Sequence, residues 1–131
     1  MINNKLYAEA VKFIDEHVDS DGFLDFNGLP LTITQCPIKD DHNEFNGQPA
    51  EFGRQDDNSQ WDIYIWQAVK KPLKKALLLH ELVEVMSYEK NKDLPKEDAH
   101  KLAVQYDQRY SNENLTAIER KALLVLRRKF S

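Results

Sequence analysis

The chain has 131 residues, 41% of them hydrophobic and 31% charged, enough for one compact domain with a hydrophobic core and too few for two. Its formal net charge of -4 argues against a general nucleic-acid binder, which would present a basic balance or a basic face. Cys36 is the only cysteine, so an internal disulfide is excluded and nothing demands an oxidising compartment.

The N-terminus, Met1-Ile2-Asn3-Asn4-Lys5, leads into mixed polar sequence and lacks the apolar core of a signal peptide. No apolar stretch approaches the roughly 20 residues that span a bilayer. The expectation is a cytoplasmic protein with neither a nucleic-acid nor a membrane partner. Leu6, Ala10, Phe13, Ile14 and Val18 recur at helical spacing and predict a first helix over about residues 4–18. Ser20-Asp21-Gly22 ends it with turn-forming residues. Phe23 to Phe26 and Leu29 to Thr34 flank Asn27-Gly28, a pair suited to a tight hairpin turn. Residues 36–48 are rich in Pro, Asp, Asn and Gly and read as a loop, with Cys36 a small core residue at its start. A second hairpin is expected from Ala50–Arg54 and Trp61–Gln67, where Trp61, Ile63 and Ile65 alternate with Asp62, Tyr64 and Trp66.

Beyond Pro72, which suits the start of a helix, Leu73 to Glu89 contains neither Gly nor Pro and reads as helical. Pro95 is expected to open another helix, running to about Tyr110. Thr116 and Glu119 have capping-box spacing for a last helix ending near Lys129. That helix carries the one basic concentration, Arg120, Lys121, Arg127, Arg128 and Lys129. Its Leu123, Leu124 and Leu126 read as a buried side and its charges as a solvated side. The order is a helix, a small antiparallel sheet, then three helices, which makes an α+β domain.

The segment with chemical content is Ala76-Leu77-Leu78-Leu79-His80-Glu81-Leu82-Val83-Glu84-Val85-Met86. Its apolar residues lie on every side of a helical wheel, so the helix should be largely buried. His80, Glu81 and Glu84 then need compensation, because a buried charge is costly unless it is paired or coordinates a metal. Residues four apart on a helix are displaced by about 40° and about 6 Å, so His80 and Glu84 can converge on one ion. Glu81 lies about 100° round from His80, beside such an ion and placed to take a proton from water. This is the logic of the His-Glu-x-x-His helix of metallopeptidases, with Glu84 in place of the second histidine.

A third ligand must come from another element, and His17, His42 and His100 are the candidates of the same type. His100 is favoured because its helix follows after one short turn. His80, Glu84 and His100 would be two histidines and one carboxylate, a set used by catalytic zinc sites. Asp98 and Asp107 are the carboxylates that could replace His100. Asp107 lies two turns after His100 and could instead orient a ligand, although it reads more simply as a solvated charge. Tyr106 and Tyr110 could donate to a developing oxyanion, though a helical tyrosine is more often core. His42 lies among Asp40, Asp41, Asn43 and Glu44, a cluster that reads as a solvated loop.

His80-Glu81-Leu82-Val83-Glu84 followed by Glu97-Asp98-Ala99-His100 resembles small bacterial and phage proteins of zincin-like type. More broadly it is similar to the gluzincin class of metallopeptidases, which pair a small sheet with an active-site helix and a following ligand helix. The resemblance covers about residues 50–110. It implies a single minimal zincin-like domain over residues 1–131, with His80 as first ligand, Glu81 as general base, zinc as cofactor and a peptide or protein as substrate. The departure is Glu84, where most zincins have histidine.

Three readings therefore stand. The first is a zinc-dependent peptidase-like hydrolase built on His80, Glu81, Glu84 and His100. The second is a zincin-like binding or regulatory module without turnover. The third is a structural domain whose polar trio is a hydrogen-bonded network, with Glu81 paired to Lys74 or Lys75. In the first, the strand Trp61–Gln67 would line the cleft and pair with an extended peptide.

Overall fold

A computed structural model of the chain describes residues 3–37, 49–54 and 60–129. The elements in order are α1 (Asn4–His17), β1 (Gly22–Phe26), β2 (Leu29–Cys36), β3 (Ala50–Arg54), β4 (Trp61–Trp66), α2 (Lys71–Lys90), α3 (Lys96–Asn114) and α4 (Ala117–Lys129). The fold is α+β, with an N-terminal helix, a four-stranded sheet and three closing helices.

Local signals explain most of these boundaries. The Asn3 side chain accepts a hydrogen bond from the backbone N–H of Leu6 at 3.1 Å and caps α1. Asn27 and Gly28 both take positive φ, 50° and 89°, which lets two residues close the β1–β2 hairpin. Pro72 stands in the first turn of α2, where its missing N–H costs nothing. At α4 the Thr116 hydroxyl accepts from the N–H of Glu119, while the Glu119 carboxylate accepts from the N–H of Thr116.

The sheet departs from the expected antiparallel arrangement. Its order is β1-β2-β4-β3, with β1–β2 and β3–β4 antiparallel but β2–β4 parallel. Two hairpins lie side by side, and their inner strands run the same way, pairing Leu31 with Trp61 and Ile33 with Ile63. Side-chain alternation reports which face of a strand is buried and carries no direction, so the mixed sheet is invisible in it. Among the described residues β4 is interior and β3 is an edge strand. The strand expected to meet a peptide is therefore already paired on both sides.

Helix α2 is the centre of the molecule. It packs on β3 and β4 and touches α1, α3 and α4. Leu78, Leu79, Leu82 and Val85 are all fully buried, as a helix apolar on every side requires. The C-terminal helix departs from expectation in one place. Leu123 is buried and Leu126 half-buried, but Leu124 is 55% exposed. Cys36 is only half-buried at the end of β2. Among the described residues no helix is long and apolar enough to cross a membrane.

The reciprocal capping bonds at Thr116 hold the start of α4. Replacing Thr116 with Ala should lower the folding free energy by about 1 kcal/mol. The expected result is a lower urea midpoint with an unchanged denaturant slope.

Candidate metal centre

His80, Glu81 and Glu84 all lie in the middle of α2, with His80 and Glu84 about one helical turn apart. His100 comes from the first turns of α3 and faces them. The His80 Nε2 is 3.6 Å from one Glu84 oxygen, and the His100 Nδ1 is 3.5 Å from the other. The two imidazole rings meet edge to face with centroids 5.0 Å apart. One ligand atom from each of the three residues lies within 4.8 Å of the others.

These separations suit a shared ion better than direct bonds. Both exceed hydrogen-bond length. Zinc bonds of about 2.0–2.2 Å at tetrahedral angles would set neighbouring donors about 3.4 Å apart. The donor set of two imidazoles and one carboxylate also suits zinc chemically.

The other nitrogen of His80 is engaged from behind. Its Nδ1 is 2.6 Å from a carboxylate oxygen of Asp107, which is only 1% exposed. Asp107 is in turn gripped by Arg127 of α4, with Nη2 at 3.0 Å and Nη1 at 3.3 Å from its two oxygens. With Asp107 ionised, Nδ1 carries the proton and donates, and Nε2 presents its lone pair toward Glu84 and His100. A carboxylate behind a histidine is the arrangement that orients metal ligands. Asp107 is thus not the solvated charge its sequence context suggests, and Arg127 is not on the solvated side of its helix.

Glu81 is buried beside this group. Burial, then the charges of Glu84 and Glu51, push its carboxyl well above the usual carboxylate range. It is not paired with Lys74 or Lys75, whose ammonium groups bond Asp19 and Asp15. A cavity of about 570 Å³ opens in front of the cluster, and His80, Glu81, Glu84, His100 and Arg127 all line it. Its opposite wall is the edge strand β3, through Ala50, Glu51 and Phe52. Glu51 was not singled out by any sequence signal. One of its carboxylate oxygens is buried without a hydrogen-bond partner among the described residues. Burial raises its carboxyl to about 7, with Lys96 pulling the other way.

The remaining residues singled out in the sequence lie elsewhere. The His17 Nδ1 is 3.1 Å from the Ser20 hydroxyl, and its ring packs on Phe13 at the far end of α1. Tyr106 and Tyr110 are in the hydrophobic core and do not line the cavity. Asp98 is exposed in the first turn of α3. His42 and its acidic neighbours lie outside the described residues.

Comparison with protein-family models, curated proteins and solved structures finds no match to this chain.

The Glu51 carboxyl, raised from 4.5 to about 7 on folding, has a definite consequence for stability. The folded state holds this proton more tightly than the unfolded state, so the contribution is complete below about pH 4.5 and is lost as pH rises through about 7. Glu51→Gln should therefore melt higher than the parent at about pH 8 and at the same temperature at about pH 4. Thermal unfolding in the presence of a chelator checks this, and equal melting at both pH values would show that Glu51 is not strained by its burial.

Proposed function

We propose that this protein is a zinc-dependent hydrolase of metallopeptidase type. In this reading His80, Glu84 and His100 hold the metal, and Glu81 is the general base. The observation that carries it is the convergence of three ligand atoms within 4.8 Å, one of them on a histidine oriented from behind by a buried carboxylate. A hydrogen-bonded structural network would instead close His80, Glu84 and His100 onto one another at shorter range.

When bound, zinc would supply a Lewis acid that brings the pKa of water toward neutrality and polarises a substrate carbonyl. The chain's own residues would do the rest. Asp107 keeps the proton on the His80 Nδ1 and so keeps Nε2 free to ligate. A metal's positive charge would offset the burial and neighbouring carboxylates that raise the Glu81 carboxyl, so that Glu81 would be ionised beside it. It would take the proton from the attacking water as the water's oxygen bonds the carbonyl carbon, and would pass it to the departing amine nitrogen as the C–N bond breaks. Among the described residues no strand pairs with the outer edge of β3, which runs along the cavity, so an extended peptide could add there as a further strand. β3 thereby takes the part that the sequence assigns to β4.

Purified protein should bind about one zinc ion per chain. It should gain about 2.7 kcal/mol of stability at a free zinc concentration a hundred times the Kd. His80→Ala and His100→Ala should each weaken zinc binding by more than about a hundredfold, since merely losing an orienting residue costs about 10–100-fold. His17→Ala should leave it unchanged, because His17 faces Ser20 at a distance from the cluster. Zinc titrations against a competing chelator test this, and near-parental affinity in His100→Ala would remove His100 from the ligand set.

Glu81→Gln should keep its zinc and lose peptide hydrolysis by about 10²–10⁴-fold, because an amide cannot accept the proton. Equal cleavage of a peptide library by parent and variant would show that Glu81 is not the base. A parent that binds zinc and cleaves nothing would turn the reading toward a metal-holding module without turnover.

A further inference from the structure

Helix α4 has two apolar stripes, and only one of them is used by the core. Leu123 is 3% exposed and points inward, with Leu126 beside it. The second stripe is Ile118, Ala122 and Val125, spaced four and three residues apart on one face. Ile118 is 82% exposed and Val125 is 56% exposed. This stripe forms one wall of a groove of about 630 Å³, whose other wall is Trp66, Val69 and Leu73.

The groove shares no lining residue with the metal cavity. Among the described residues Lys70 and Lys121 are its only charged lining residues, both cationic in a chain of net charge -4. Neighbouring lysines on α2 are occupied. Lys71 pairs with Asp19 at 2.9 Å, Lys74 bonds Gln35 at 3.0 Å, and Lys75 pairs with Asp15 at 3.1 Å. Lys70 and Lys121 make no ion pair among the described residues.

Charge and size select the occupant. A second copy docked through the same face would bring the Lys70 and Lys121 of both copies into one interface, with no carboxylate among the groove's described lining residues to answer them, an arrangement that repels. A folded partner needs an interface of about 1,000 Å² or more, larger than a groove lined by ten residues offers. A small ligand with an alkyl body and one anionic end matches an apolar cleft of this size with a few convergent polar groups.

We propose that the groove between α4 and the start of α2 binds a single-chain anionic amphiphile of the fatty-carboxylate type. Its alkyl chain lies along Ile118, Ala122 and Val125, and its head group meets Lys70 and Lys121. The apolar contact supplies affinity, and the two ammonium groups supply the preference for an anion.

The test is a titration of the isotopically labelled, otherwise unmodified protein by two-dimensional amide NMR. Sodium dodecanoate and dodecyltrimethylammonium, each below its micelle concentration, are the probes. Dodecanoate should cause saturable shifts at the amides of Val69, Ala122 and Val125, and the cationic amphiphile should bind about tenfold more weakly. Lys70→Glu with Lys121→Glu should reverse that preference, and Val125→Asp should abolish binding while leaving the rest of the spectrum in place. Equal binding of both amphiphiles, shifts clustered away from this groove, or no saturable shift would overturn the proposal. Concentration-dependent shifts of the same amides without any amphiphile would overturn it in favour of a second copy.

Discussion

Asp107 carries a carboxylate at 1% exposure where α2, α3 and α4 meet, and its charge has to be answered within the protein. Two groups answer it, the His80 ring from α2 and the Arg127 guanidinium from α4. Leaving such a charge unpaired costs about 3–5 kcal/mol, a large part of the stability of a domain this size. The polar contact therefore acts as a geometric constraint. It ties three helices at one point and fixes the ring of His80, whose other nitrogen then faces Glu84 and His100. Arg suits the task because its planar fork reaches both carboxylate oxygens at once.

In front of that tie the balance of charge runs the other way. Glu51, Glu81 and Glu84 surround one cavity, and only Lys96 and Arg127 among its lining residues oppose them with permanent positive charge. Burial holds the Glu51 carboxyl above its ordinary range, and burial with the charges of Glu84 and Glu51 does the same to Glu81. A site left in that state is strained in the direction that a cation relieves. The same low-exposure setting that makes the carboxylates costly makes a positive charge at the cluster strongly felt.

The sheet gives this cavity its second wall. Pairing β2 with β4 in parallel places the β3–β4 hairpin beside the β1–β2 hairpin and leaves β3 at the margin, over the middle of α2. Helix α4 borders both cavities. Val125 and Leu126 line the apolar groove, and Arg127, the next residue, turns into the polar cavity.

Much of this was legible in the residues themselves. The spacing of His80 and Glu84 puts them on one face of a helix whatever surrounds it, because 3.6 residues per turn is a local property. Asn27-Gly28 and the Thr116–Glu119 box likewise act within four residues, and both appear as expected. The burial of α2 followed from apolar residues that lie on every side of its helical wheel. Other features depend on which surfaces meet. Arg127 and Asp107 look like ordinary charges on amphipathic helices, and only the crossing of α3 and α4 brings them together. Glu51 is one carboxylate in a short strand until packing on α2 buries it. The direction of β4 relative to β2, and so the identity of the edge strand, rests on pairing between residues 30 apart. Periodicity determines which face of an element seeks the core, and it carries no information about which other face will be waiting there.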